Sequence, residues 1–304
     1  MIVRWGLDAL PDVLGERDAF LLATKRWDAP VEVAGRWSEL PTEATIDVGD
    51  AEVLLAVGGG STIDTAKRVS AEIGLPLVSV PTTYSGAEWT TYYGVRDSDR
   101  RMHGGGGGAH NEAIVYEVEL TLGMPHDVTG GTALNALAHC CEALYVKGRD
   151  LAADPLALEA AEVISEALPR VLADPGARDS REALLHGAAK AGEALSRSGL
   201  ALGHAMAQAI GGRYGLSHGA LNAICLPPAL RFNAEFVPAS LLGGRAAERA
   251  EELSRLAGFT TLGALGVPQE DLPELAAAIA RRPGALANPR SASPADVLGL
   301  LQSI

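Results

Sequence analysis

Paired cysteines, a membrane-length apolar run and a basic surface are all missing from this chain of 304 residues. Its three cysteines, Cys140, Cys141 and Cys225, show no C-x-x-C spacing, so neither a disulfide scaffold nor a thiolate metal knot is expected. The thiols read as reduced, small core residues in apolar helical surroundings, which points to the cytoplasm. No uninterrupted apolar stretch approaches the ~20 residues of a bilayer span. The opening Met1-Ile2-Val3-Arg4-Trp5-Gly6 carries no apolar signal core. A membrane partner is therefore not expected. Positive charge is also short: 25 Lys and Arg against 38 Asp and Glu leave a net charge of −13, which disfavours nucleic acid as a partner. Both familiar glycine fingerprints, G-x-G-x-x-G and G-x-x-x-x-G-K-[ST], are absent.

A different glycine turn stands in their place. Residues 53–57 are a short apolar run, followed by Gly58-Gly59-Gly60-Ser61 and then Thr62-Ile63-Asp64-Thr65-Ala66-Lys67. That order predicts a buried strand turning tightly into a helix. Glycines let a ligand approach the main chain, and the amides of a helix N-terminus favour phosphate. Ser61 or Thr62 is placed to cap the helix or to hydrogen-bond the same phosphate. A tight strand–helix turn without ligand fits the same residues.

Around this stretch the first part of the chain reads as α/β. Apolar runs over residues 19–24 and 30–34 predict strands, with too few residues between them for a crossover helix. A helix is expected over 62–73, ended by Gly74, then a strand over 75–80 and strand-like pieces over 91–96 and 113–116. Five glycines, Gly104 through Gly108, predict a loop that cannot pack. From Pro125 onward the pattern is helical and alanine-rich, with helices expected near 129–147, 155–173, 180–197, 200–212, 218–232, 245–257, 270–281 and 294–302. Ser293-Pro294-Ala295-Asp296 is a helix start with the serine as cap. The expected organisation is an α/β domain over 1–124, an all-helical domain over 125–304, and a ligand cleft between them.

The helical half carries a polar constellation. Asn135 and His139 stand four apart, hence on one helix face. His204 and His218 are separated by a link containing Gly211, Gly212 and Gly215 that lets two helix ends fold together. Three imidazoles are a respectable set for zinc or ferrous iron. They equally suit a metal-free polar pocket or satisfied core histidines. His126 reads as a helix-start residue, and His103, His110 and His186 have no evident partners in sequence.

Taken together, Gly58-Gly59-Gly60-Ser61 with Asp64 and Lys67, then Pro81-Thr82-Thr83, then these histidines resemble the iron-containing (group III) alcohol dehydrogenase superfamily. Residues 81–88 (Pro-Thr-Thr-Tyr-Ser-Gly-Ala-Glu), residues 132–139 and Glu142-Ala143-Leu144-Tyr145 are similar to its maleylacetate reductase branch. The likeness runs from about residue 53 to the end. Over residues 1–50 it is thinner, because this segment is shorter than the family's usual nucleotide-binding start.

The resemblance implies a Rossmann-like, dehydroquinate synthase-like first domain that binds NADH or NADPH, and a homodimer acting on a small substrate. It places the glycine turn on the pyrophosphate and Thr82, Thr83 and Ser85 beside the nicotinamide. Asp64 and Lys67 are then either cofactor neighbours or an ordinary surface ion pair. Lys25, with Arg26, follows an early strand where NAD-preferring relatives hold an aspartate, so the pair reads either as a site for a 2′-phosphate, with NADPH accepted at least as well as NADH, or as a solvated basic pair in a loop. In metal-dependent members, the positions of Asn135, His139, His204 and His218 hold one aspartate and three histidines around iron or zinc. Here the carboxylate is an amide. One negative charge lost beside a dication costs on the order of 4 kcal/mol at an effective dielectric near 20, about three decades of affinity. A bound metal is accordingly doubtful. Gln208 replaces a family histidine suited to proton transfer and cannot titrate, so a proton has to come from His139, His204, His218, Tyr84 or water. Glu88 reads equally as a turn cap or a ligand contact. The activity implied is reduction of maleylacetate to 3-oxoadipate, a step in aromatic-compound breakdown. The alternatives are a metal-dependent alcohol dehydrogenase, a lyase of the dehydroquinate synthase type, or a binding homologue without catalysis.

Overall fold

The computed structural model describes residues 1–28, 31–98 and 101–304. The chain divides into two compact units, Met1–Gly123 and Met124–Ile304. In the first unit the order is β1 (Ile2–Trp5), α1 (Leu10–Leu14), β2 (Ala19–Leu22), β3 (Gly35–Trp37), β4 (Val53–Gly58), α2 (Gly60–Ile73) and β5 (Pro76–Pro81). There follow β6 (Tyr93–Arg96), β7 (Met102–Gly106) and β8 (His110–Tyr116). Six strands form one sheet in the order β1-β8-β5-β4-β2-β3, every pairing parallel.

The unbroken apolar character of β4 follows from burial on both faces of that sheet. Val53, Leu55 and Val57 pack with Leu10 and Leu14 of α1 on one side. Leu54 and Ala56 pack with Ile63, Ala66 and Val69 of α2 on the other. The short helix α1 falls in a stretch whose pattern suggested only strands and loops.

Two expectations are corrected here. No strand forms over residues 31–34, and Pro30 lies outside the described residues; the strand is β3, at Gly35–Trp37. A parallel connection needs about a dozen residues, which a strand beginning at residue 30 does not leave after β2. Among the described residues no helix lies between β2 and β3. The glycine run is not a loop throughout: Gly104, Gly105 and Gly106 belong to β7, which pairs antiparallel with β6 in a separate two-stranded ribbon. A Cβ at Gly105 would meet the Tyr93 carbonyl oxygen at 2.8 Å, and one at Gly106 the Tyr93 hydroxyl at 2.6 Å. Close packing, not freedom, requires glycine at those two positions.

The second unit is helical: α3 (His126–Ala143), α4 (Asp154–Ala173), α5 (Arg178–Ser198), α6 (Leu202–Tyr214), α7 (His218–Phe232) and α8 (Ala246–Leu256). It ends with α9 (Leu272–Ile279), α10 (Pro283–Leu286) and α11 (Pro294–Gln302). Ser293 caps α11 in a capping box with Asp296, as its sequence suggested, whereas the single turn α10 gave no periodic signal. Helix α3 packs against α4, α5 and α7 and is buried around almost its whole circumference. That explains its many glycines and alanines, since a helix enclosed on all sides has no polar face to present. Among the described residues no helix is long and apolar enough to cross a membrane.

Candidate active site

The glycine turn is built as the order of residues implies. Strand β4 ends at Gly58, and Thr82 N–H donates to the Gly58 carbonyl at 3.0 Å, which draws the segment after β5 over the turn. A Cβ at Gly58 would meet the Thr62 side chain at 2.6 Å, one at Gly59 the Thr83 Cγ2 at 2.9 Å, and one at Gly60 the Ser85 Oγ at 3.1 Å. The N-cap of α2 is Gly59 and no side chain caps it, so neither Ser61 nor Thr62 fills that role. The Thr62 and Ile63 N–H groups donate to the Gly59 carbonyl at 3.0 and 3.1 Å, so the amides suited to an anionic ligand are those of Gly60 and Ser61. Beside them the Thr83 hydroxyl is buried without a partner. Tyr84 is fully enclosed in the same unit.

Most of the neighbouring charged residues are braces. Asp64 and Lys67 are not a surface pair: Lys67 is buried, and its ammonium lies 2.9 Å from Asp64. Lys67 also donates to Ala87 O at 2.8 Å, Thr90 Oγ1 at 3.1 Å and Tyr92 O at 2.6 Å, while Asp64 accepts the Gly94 N–H at 3.2 Å. Both residues pin the β6–β7 ribbon and its approach to α2. Glu88 neither caps a turn nor reaches outward; it is buried and accepts the Tyr116 hydroxyl at 2.7 Å. Burial pushes its carboxyl above the usual carboxylate range. After β2, Arg26 donates to Gly123 O, and Arg36 ties down Thr24 O and Trp27 O. Lys25 is exposed in that turn.

In the helical unit the structure brings Asn135, His139, His204 and His218 together. The cause is backbone proximity between α3 and α7. Gly131 and Gly219 touch so closely that a Cβ on Gly219 would lie 2.5 Å from the Gly131 carbonyl carbon. One turn beyond each glycine, Asn222 Nδ2 donates to Asn135 Oδ1 at 2.7 Å. The same amide nitrogen lies 3.0 Å from His218 Nε2. The His139 and His204 rings stack with centroids 4.8 Å apart and planes 15° apart, and the His204 and His218 centroids are 5.8 Å apart. His204 Nδ1 meets Glu142 Oε2 at 2.8 Å. His139 Nδ1 and His204 Nε2 are buried without a protein partner. Burial first, and the other two imidazoles second, hold the His139 pKa well below the usual imidazole value, so this ring is neutral near pH 7. Gln208 is half-buried one turn after His204.

Glu142 and Asn222 had no assigned role in the sequence reading. Their signal was present: a carboxylate three residues after His139 and an amide four residues after His218, each inside an apolar helix.

These residues do not fit a divalent cation. Ligands sharing one ion at about 2.0–2.2 Å have donor atoms roughly 3.5 Å apart. Among the described residues, only Glu43, Asp97 and His103 bring three such atoms within 4.8 Å of one another, and the three imidazoles do not. Two of the four expected ligand atoms, Asn135 Oδ1 and His218 Nε2, already face the Asn222 amide. In that cluster His103 of β7 lies between two carboxylates, Nε2 at 2.6 Å from Asp97 and Nδ1 at 3.9 Å from Glu43. Those contacts give His103 the partners its sequence context did not reveal.

Residues 129–304 match the family described as Fe-containing alcohol dehydrogenase family, C-terminal, and residues 40–110 match iron-containing alcohol dehydrogenase. Maleylacetate reductase 1 of Rhodococcus opacus is 33% identical, the match covering 97% of this chain and 83% of that protein. The crystal structure of maleylacetate reductase from Agrobacterium tumefaciens superposes with a TM-score of 0.87 at 28% identity, over 99% of this chain and 95% of that one. An iron-containing alcohol dehydrogenase from Corynebacterium glutamicum gives 0.89 at 27% identity, over 100% and 94%.

Proposed function

Because the chain belongs to the iron-containing alcohol dehydrogenase family and to its maleylacetate reductase branch, we propose that it reduces the carbon–carbon double bond of maleylacetate to give 3-oxoadipate. It is an NAD(P)-dependent oxidoreductase. The observation that carries the metal-free form of this reading is the Asn222 amide nitrogen, which lies within hydrogen-bond distance of both Asn135 Oδ1 and His218 Nε2.

The reaction balances as maleylacetate, NAD(P)H and one proton giving 3-oxoadipate and NAD(P)⁺. Hydride adds to the alkene carbon β to the ketone, the electrons pass to the ketone oxygen as an enolate, and a proton then reaches the adjacent carbon. Gly58, Gly59, Gly60 and Ser61 hold the pyrophosphate at the start of α2. Thr82, Thr83 and Ser85 set the nicotinamide edge, the unpartnered Thr83 hydroxyl being the group best placed to take a ligand hydrogen bond. Asn135, His139, His204 and His218 orient the substrate, and N–H groups of Asn135 and His139 stabilise the developing enolate as an oxyanion hole does. The missing aspartate removes one charge that would repel a dicarboxylate. Gln208 cannot titrate, so the proton comes from an imidazole or water.

The direct test is incubation with NADPH and maleylacetate, with and without chelator, followed by product analysis. One 3-oxoadipate per nucleotide oxidised is expected in both arms. Oxidation only after zinc or ferrous iron is added favours the metal-dependent alcohol dehydrogenase, and no oxidation with any carbonyl substrate favours a binding homologue.

Nucleotide choice rests on Lys25. Arg26 and Arg36 are held by carbonyl oxygens, which leaves the exposed Lys25 to meet a 2′-phosphate. A charge-assisted hydrogen bond is worth about 1.5–3 kcal/mol. Lys25→Ala is therefore expected to lower kcat/KM for NADPH at least about tenfold and to leave NADH almost unchanged. A strong NADH preference in the unaltered protein takes Lys25 out of the site.

A further inference from the structure

Glu142 is a charge that packing alone does not explain. It is fully buried on α3, and among the described residues its ion-pair partner is an imidazole, not a lysine or arginine. Taking a carboxylate out of water costs several kcal/mol unless its oxygens are well satisfied. Here Oε2 accepts the Ala201 N–H at 2.6 Å and faces His204 Nδ1 at 2.8 Å, while Oε1 accepts the His204 N–H at 3.2 Å. Ala201 is the N-cap of α6 and has no side-chain cap of its own, so α3 caps α6 across the helix pair. Room for the carboxylate depends on Gly203, where a Cβ would come within 2.9 Å of Oε1.

The contact also settles the chemistry of the ring. A carboxylate oxygen 2.8 Å away only accepts, so Nδ1 carries the hydrogen and Nε2 is the nitrogen left without a protein partner. We propose that Glu142 is a positioning residue that fixes the tautomer and plane of His204, so that Nε2 and not Nδ1 is presented to the substrate. The substrate part of this statement rests on the active-site reading above; the tautomer does not. With the carboxylate gone, Nδ1 and Nε2 compete for the hydrogen and the ring is free to turn. With it present, the substrate meets the same bare, hydrogen-accepting nitrogen in every molecule. Capping α6 is a second consequence of the same contacts, and it affects stability alone.

Two readouts separate the roles. Histidine-selective 15N NMR of the full chain, with the His204 signals assigned by their loss in His204→Asn, is expected to show Nδ1 protonated and Nε2 bare in the neutral ring. Glu142→Gln is expected to mix the two tautomers, and Gly203→Ala, which displaces Oε1 but keeps the charge, to do so in part. In turnover, Glu142→Gln is expected to lower kcat about 10–100-fold, the usual span for an outer partner of a functional histidine, with the KM for NADPH unchanged. In a His204→Asn background the same substitution is expected to cost less than about twofold more, because residues acting as one unit are not additive. Its effect on Tm persists in both backgrounds. A neutral His204 found protonated on Nε2, or kcat losses that multiply, overturns the proposal. The NMR result stands even if the protein reduces no maleylacetate, so failure of the substrate reading and failure of this one are distinguishable.

Discussion

Replacing Gly59 by valine is expected to raise the dissociation constant for NADPH at least about 100-fold while leaving the helical unit folded. A single Cβ at this position already comes within 2.9 Å of Thr83 Cγ2, so a branched side chain forces apart the turn and the segment after β5. It also stands over the uncapped amides at the start of α2. Two amide–phosphate hydrogen bonds at about 1.5 kcal/mol each amount to about 3 kcal/mol, a little over two decades of affinity. Quenching of NADPH fluorescence measures the change, and thermal unfolding controls for damage to the α/β unit. A gentler variant, Gly60→Ala, meets the Ser85 Oγ at 3.1 Å and Cβ at 3.3 Å and is expected to cost less. Affinity within tenfold of the unaltered protein for both variants returns the turn to a purely structural role.

The second large effect belongs to His139. His139→Phe keeps a flat ring against His204 and fills most of the same volume, so packing changes little. It removes both nitrogens, including the buried Nδ1 that has no protein partner. Loss of one donor aimed at a developing oxyanion costs about 10²–10³ in kcat. The KM for NADPH is expected to stay where it is, because the residues proposed to hold the nucleotide belong to the α/β unit. Burial keeps His139 neutral near and above pH 7, so its contribution is a hydrogen bond and not a charge. The fold-loss is therefore expected to be the same at pH 7 and at pH 8.5. A loss that fades between those values contradicts a neutral role.

What could be read from the sequence follows the range of the interactions. The glycine turn was legible because a strand end, three glycines and a helix start are neighbours in the chain. Asn135 and His139 were legible for the same reason, being one helical turn apart. Lys67 was misplaced on the surface because its burial depends on Ala87, Thr90 and Tyr92 folding back over α2. The position of β3 depended on sheet pairing and on the length of connection that a parallel ladder demands, not on local apolarity. Glu142 and Asn222 were the least visible. Each acts across a helix pair, Glu142 on His204 sixty-two residues away and Asn222 on Asn135 eighty-seven residues away. Their partners meet only because Gly203 and the Gly131–Gly219 contact let the helices approach. A lone polar residue in an apolar helix was the one local sign of either.

We propose hydride transfer at a site in which amides and imidazoles do the work of a cation. Its most direct test uses NADPH deuterated at the transferable position, maleylacetate, and protein stripped by exhaustive chelation. One deuterium in 3-oxoadipate for each nucleotide oxidised, at a rate that added zinc or ferrous iron does not raise, is the result this account predicts. Oxidation that stops on chelation and returns with metal would contradict it.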